Sequence, residues 1–166
     1  LEPHPLCEAF IAGAQEAGIP RNPDFNGRIQ EGVGYFQLTT RRGFRSSTSV
    51  AYLRKARSRP NLRIVTGAHA TRVLLDGKRA VGIGYRQDGR DREVRCGGEV
   101  VLSGGAINSP QLLLLSGIGP AAHIKSHGIA VAHDLPGVGE NLQDHYQARC
   151  IFRCAKPVTL NDVMRT

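Results

Sequence analysis

Residues 117–122, Gly117-Ile118-Gly119-Pro120-Ala121-Ala122, fit G-x-G-x-x-A, and Asp134 lies where a ribose-binding acid could follow. That spacing suits a dinucleotide-binding turn, in which glycines let the backbone approach a pyrophosphate. Three features oppose it. The preceding apolar run opens with Ser109-Pro110 and is better capped as a helix than as a strand. The next helical stretch, residues 121–126, is too short for a βαβ crossover. Pro120 also removes a backbone N–H where phosphate would need donors. The motif therefore reads as a helix-ending turn. His123 and His127 stand four apart and could share a helical face as metal ligands, but no Cys or carboxylate cluster completes a site. Asp144 and His145 are adjacent, and neighbours on regular backbone point apart. No G-x-S-x-G elbow supplies a hydrolase nucleophile. The pairs Gly32/Gly34, Gly82/Gly84 and Gly137/Gly139 lack a third glycine and read as turns.

The remaining chemical feature is the run Ser103-Gly104-Gly105-Ala106, which follows Val100-Val101-Leu102. Only small side chains stand there. Close helix–strand packing would need them, and so would a large cofactor lying against the backbone at the carboxyl end of a sheet strand. The two readings are compatible. Cys7, Cys96, Cys150 and Cys154 form no C-x-x-C pair and no disulfide framework, so small buried hydrophobes or free thiols are expected.

These residues need elements to hold them. Residues 5–17 predict a helix with Leu6, Phe10, Ala14 and Ala17 on one face, Pro5 in its first turn and Gly18 as its stop. Residues 20–43 read as an irregular connection. A second helix is expected over about 49–58, capped by Ser46, Ser47 or Thr48, with Val50, Leu53 and Ala56 inward. Strands are expected at 62–65, 69–75, 80–86 and 91–95, with hairpin turns at Asp76-Gly77 and Asp88-Gly89. Further strands are expected at 99–103, 129–133 and 147–152, with helices at 109–115 and 121–126, the latter ended by Gly128. The fold class is α/β with α+β character: a layered central block carrying an inserted antiparallel meander. Three regions are expected: 1–60, a helical and irregular lead-in; 61–142, the central domain; and 143–166, the start of another region.

Composition limits the partners. Lys and Arg number 22 against 14 Asp and Glu, a formal net charge of +8. The basic residues are dispersed, and the densest groups, Arg41-Arg42 with Arg45 and residues 54–59, are not interleaved with exposed aromatics as in single-strand binders. A solvated basic face is expected, and no nucleic acid. No stretch approaches the roughly 18 apolar residues of a membrane span. The N-terminus, Leu-Glu-Pro-His-Pro, has neither a basic region nor an apolar signal core, and no initiator Met. The expectation is a cytoplasmic protein cut from something longer, with peripheral membrane association of the parent left open.

Residues 105–120, Gly-Ala-Ile-Asn-Ser-Pro-Gln-Leu-Leu-Leu-Leu-Ser-Gly-Ile-Gly-Pro, resemble the second signature of the glucose–methanol–choline (GMC) oxidoreductases. The likeness continues through Gly128-Ile129 and residues 134–145. Upstream it includes residues 24–27, 30–34, 45–47 and 59–62, so nearly the whole chain is covered in family order. The choline-dehydrogenase-like branch is the most similar.

The resemblance implies a flavoprotein with a Rossmann-like FAD domain and a substrate domain, which takes hydride from an alcohol carbon. It places Ala70 where strand backbone meets the adenine, a position often held by Val in the family. It places Ser103, Gly104 and Gly105 beside the cofactor. Asn141, Asp144 and His145 fall in the stretch near the flavin. The family's N-terminal G-x-G-x-x-G, its first-signature segment and its C-terminal active-site His region have no counterpart in this sequence. No catalytic residue is therefore expected within the chain, and no metal. Such a section would bind FAD weakly or not at all and would not turn over a small alcohol. The alternative is a stand-alone binding module, self-associating through exposed sheet edges.

Overall fold

The computed structural model describes residues 4–159 and Asn161. The chain divides into two compact units, Leu1–Leu62 with Arg149–Thr166, and Arg63–Ala148. It mixes helices with small sheets, two of them antiparallel and one a short parallel pair.

In the first unit, α1 spans Pro5–Glu16. His4 caps it by accepting the Leu6 N–H on Nδ1 at 3.2 Å, and Pro5 opens it without wasting a donor. The buried stripe of α1 is Ile11, flanked by half-buried Glu8 and Ala14, rather than the expected Leu6–Phe10 face; Phe10 stays 65% exposed. Ile11 and Val33 are the apolar residues buried in this unit among the described residues. The connection at 20–34 is held by buried Asn22. Its Nδ2 donates to the Ile29 carbonyl at 2.8 Å and to that of Glu31 at 3.1 Å, and its Oδ1 accepts the Asp24 N–H at 2.9 Å. Next come β1 (Thr40–Arg41) and β2 (Phe44–Arg45), a hairpin whose two loop residues, Arg42 and Gly43, both have positive φ, the type I′ requirement. The second helix begins as a π-helix, Ser49–Leu53, and continues as α2 (Arg54–Ala56). Ser47 supports its start: its Oγ accepts the Val50 N–H at 3.4 Å.

The second unit is built on the expected meander. Strands β3 (His69–Asp76), β4 (Arg79–Gln87) and β5 (Arg90–Arg95) form an antiparallel sheet in sequence order. Asp88 and Gly89, both at positive φ, form the second turn; in the first, Gly77 leads a two-residue loop with Lys78. Helix α3 (Gly105–Leu115) follows, then β6 (Ile118–Gly119), α4 (Ala121–Ser126) and β7 (His133–Asp134), with β6 and β7 parallel. Val73, Leu74 and Ile124 are the buried apolar side chains of this unit among the described residues.

Several expected elements differ. Residues 62–65, 99–103 and 147–152 carry no strand. A strand exists only through a hydrogen-bonded neighbour, and no neighbour pairs with these segments among the described residues. Val101 is accordingly 78% exposed and Ile151 93% exposed. The strand expected at 129–133 is reduced to His133–Asp134. Helix α3 begins four residues before the expected Ser109. Ser109 instead reaches back to accept the Gly104 N–H at 2.9 Å, and Pro110 lies inside the helix.

Candidate functional site

A cleft of about 470 Å³ opens between the start of β3 and one side of α3. That volume falls in the range of roughly 300–1,000 Å³ typical of small-ligand sites. One wall is Ala68, His69 and Ala70; the facing wall is Ser103, Gly104, Asn108 and Ser109, and Ile83, Leu102 and Leu112 give it apolar surface. No acidic side chain lines it.

Each wall has a local cause. In β3, Ala70 pairs with Tyr85 and Arg72 pairs with Gly84, leaving Thr71 as an extra residue. Such a bulge bends a strand and re-aims its end. Here the bent end carries Ala68–Ala70 along the cleft. On the other side, Gly104 caps α3, and Gly105 starts it at φ 85°. A Cβ on Gly104 would lie 3.1 Å from Asn108 Cβ and 3.2 Å from the Ser109 nitrogen, whereas one on Gly105 would meet nothing within 4 Å. The smallness of Gly104 thus serves helix packing, and Gly105 leaves open space. A slender, partly apolar ligand suits the cleft.

The structure brings Ala70, Ser103 and Gly104 into one cleft, whose lining does not include Gly105. It does not bring Asn141, Asp144 or His145 there. All three are exposed. Asn141 sits at positive φ, and the Asp144 side chain accepts the His145 N–H at 2.7 Å, a local turn rather than a catalytic pair. The segment before them packs on α3: Gly139, Glu140 and Leu142 line a second hollow with Ile107, Pro110 and Leu114.

The 117–122 motif is a helix-ending turn. Gly117 terminates α3 at φ 81°, and a Cβ there would lie 2.3 Å from the Ala130 carbonyl oxygen. Asp134, the would-be ribose acid, accepts the Ala121 N–H at 2.9 Å and so caps α4. His123 and His127 meet edge to face at 4.8 Å, and no group of three or more metal-ligating side chains occurs among the described residues. Sequence reasoning missed Ser116, which ties the cleft's two walls: its Oγ accepts the Val73 N–H at 2.7 Å and donates to the Leu112 carbonyl at 2.5 Å. Only its place at the end of an apolar helix hinted at a capping role.

Residues 1–147 match the family model described as GMC oxidoreductase. The chain is 48% identical over 161 residues to an oxygen-dependent choline dehydrogenase of Photobacterium profundum, covering 97% of the chain and 28% of that protein. It is 52% identical over 144 residues to an alcohol dehydrogenase [acceptor] of Pseudomonas putida, covering 86% and 26%. The mitochondrial choline dehydrogenase of Mus musculus is 47% identical over 162 residues, covering 98% and 27%. Among solved structures, pyridoxine 4-oxidase from Mesorbium loti superposes with a TM-score of 0.73 at 34% identity, over 81% of this chain and 26% of that one. An FAD-dependent oxidoreductase from Chaetomium thermophilum gives 0.66 at 29% identity, over 80% and 24%. The chain spans under a third of the length of these relatives.

Proposed function

Given that the chain belongs to the GMC oxidoreductase family, we propose that it is a middle section of an FAD-dependent alcohol dehydrogenase or oxidase. The carrying observation is the cleft in which Ala70 faces Ser103 and Gly104 beside the start of α3. Bound there, FAD supplies the hydride acceptor for a CH–OH carbon. This chain's residues would hold its adenosine end. Ala68–Ala70 would lie along the adenine, with Leu102 and Leu112 as apolar support. Asn141, Asp144 and His145 lie on a segment that would meet the flavin only when the rest of the parent is present. The substrate is a small alcohol, the parent is cytoplasmic, and the base that receives the alcohol proton lies outside this chain.

Alone, the section binds FAD weakly or not at all and does not oxidise alcohol. One wall of a cofactor site leaves the other faces of the ligand in water, so little binding free energy remains after the ordering cost. A second property follows from the same incompleteness. Val101, Ile107 and Val94 are 78%, 70% and 55% exposed, and the unpaired 99–103 backbone offers an edge for another strand. Self-association of the isolated chain is therefore expected as well.

The test is Ala70→Trp in the full-length parent. An indole there fills the cleft, so the purified variant should be folded yet depleted of flavin absorbance. Full flavin content in the folded variant would contradict the assignment.

A further inference from the structure

The backbone that carries Ala68–Ala70 is fastened on both sides by side chains from other elements. Before it, Gln87 Nε2 donates to the Thr66 carbonyl at 2.9 Å. After it, the Val73 N–H donates to Ser116 Oγ at 2.7 Å. Between the two fastenings lie Gly67, at φ 65°, and the bulge at Thr71. Those are the places where this backbone is easiest to re-aim.

Each fastening has a distinct task. The β3–β4 ladder begins with His69 opposite Arg86, and Thr66–Ala68 belong to no strand. Gln87 follows Arg86 in β4, and its side-chain amide extends the hold of that strand past the ladder to Thr66. Ser116 works on the other side of the cleft. A backbone N–H can only donate, so the hydroxyl accepts from Val73 and gives its single proton to the Leu112 carbonyl, at 2.5 Å. One bond thus goes to the strand that carries Ala70. The other goes to the helical turn that carries Leu112, which lines the cleft. All of these partners lie within the second unit of this chain.

We propose that Ser116 and Gln87 are positioning residues for the adenosine end of the cofactor, an inference that rests on the proposed FAD site. They fix the spacing between Ala70 and Leu112, and through it the affinity for an adenine nucleotide. Neither residue lines the cleft, so both act through the walls. A planar base needs its walls at a set spacing, and binding sites tolerate only about 0.5 Å of slack. Without the Ser116 hydroxyl, the N–H of buried Val73 has no partner, and β3 shifts to find one, carrying Ala70 with it.

The experiment is titration of the flavin-free full-length parent with FAD, ADP and FMN. FAD and ADP share the adenosine end, which FMN lacks. Ser116→Ala should weaken FAD and ADP by a common factor of about ten, the equivalent of one net hydrogen bond, and leave FMN within about twofold of wild type. Ser116→Thr, which keeps the hydroxyl, should restore both affinities. Gln87→Met keeps the length and removes the amide, so it should weaken FAD and ADP in the same pattern. Gln87 is only half-buried, and its variant carries the test if Ser116→Ala does not fold. Equal loss of all three ligands would overturn the proposal, because general loosening of the fold predicts that. So would unchanged FAD and ADP affinity in the folded variants, or no recovery in Ser116→Thr. Ala70→Trp separates this role from the site it serves. Flavin depletion there, with wild-type affinity in Ser116→Ala, sinks the positioning role alone. Full flavin content in folded Ala70→Trp sinks the FAD site itself.

Discussion

The Ser116 hydroxyl accepts the backbone N–H of Val73 at 2.7 Å, fastening the C-terminal end of α3 to the edge strand β3. His69 and Ala70 on one wall of the cleft, and Asn108 and Ser109 on the other, belong to those two elements. Val73 is buried, so no water can replace the hydroxyl at little cost. Ser116→Ala should destabilise the second unit by about 1–3 kcal/mol, the usual range for an orphaned buried donor. Hydrogen exchange checks this: the Val73 amide should lose protection, and β3 should loosen relative to α3. Unchanged protection at Val73 would mean the contact carries no stability.

Gly117 and Gly119 should tolerate no side chain. A Cβ on Gly117 would collide with the Ala130 carbonyl oxygen at 2.3 Å, and one on Gly119 would lie 2.4 Å from Leu114 Cδ2. Both residues also hold positive φ. Gly117→Ala should cost roughly 2 kcal/mol or more, from backbone strain plus collision. Gly97→Ala meets nothing within 4 Å and should stay within about 0.5 kcal/mol of wild type. Thermal unfolding of the two variants side by side gives the comparison.

Asn22 should act as the organiser of residues 20–34. Its side chain makes three hydrogen bonds, and its backbone N–H donates to the Val33 carbonyl at 2.9 Å. Asn22→Leu keeps bulk but leaves the Ile29 and Glu31 carbonyls and the Asp24 amide unpaired. A loss of about 2 kcal/mol or more is expected. Hydrogen exchange should rise across 20–34 and stay unchanged in β3–β5.

The Arg86–Asp91 pair should titrate visibly. Arg86 Nε and Nη2 donate to the two carboxylate oxygens of its cross-strand neighbour at 2.8 and 3.2 Å. The Arg86 hydrogen bonds hold the Asp91 carboxyl below its ordinary 3.8, against some desolvation and with help from the nearby Arg86 and Arg72 charges. A depressed carboxylate contributes stability that is present above the ordinary Asp range and lost as pH falls through the lowered value. Both groups are exposed, so the effect on stability is small. An NMR titration of Asp91 should show a midpoint below 3.8, and Arg86→Gln should return it toward the ordinary value.

The parts legible in the sequence were those fixed by local chemistry. Asp88-Gly89 forms its turn because two adjacent residues must take positive φ, and the alternation of Ala80–Arg86 sets the strand before it. The 99–103 segment reads as a strand just as clearly, yet a strand's existence depends on a partner that local sequence does not contain. Ser109-Pro110 reads as a helix start because both residues favour one; Gly104 takes the cap instead. Asn22 had a local signal, an Asx-turn to Asp24, but its bonds to Ile29 and Glu31 depend on the tertiary fold. The same holds for Ser116 and Val73, which are 43 residues apart. Placing Ala70 opposite Ser103 came from family resemblance, and nothing in their spacing required it.

In the proposed function this chain forms one wall of an FAD site, and the other walls belong to the rest of the parent. Difference spectra of the purified chain titrated with FAD, followed by an assay with choline and simple alcohols, test it most directly. Weak or undetectable flavin binding and no turnover are predicted. Tight stoichiometric FAD binding, or oxidation of any alcohol by the chain alone, would contradict it.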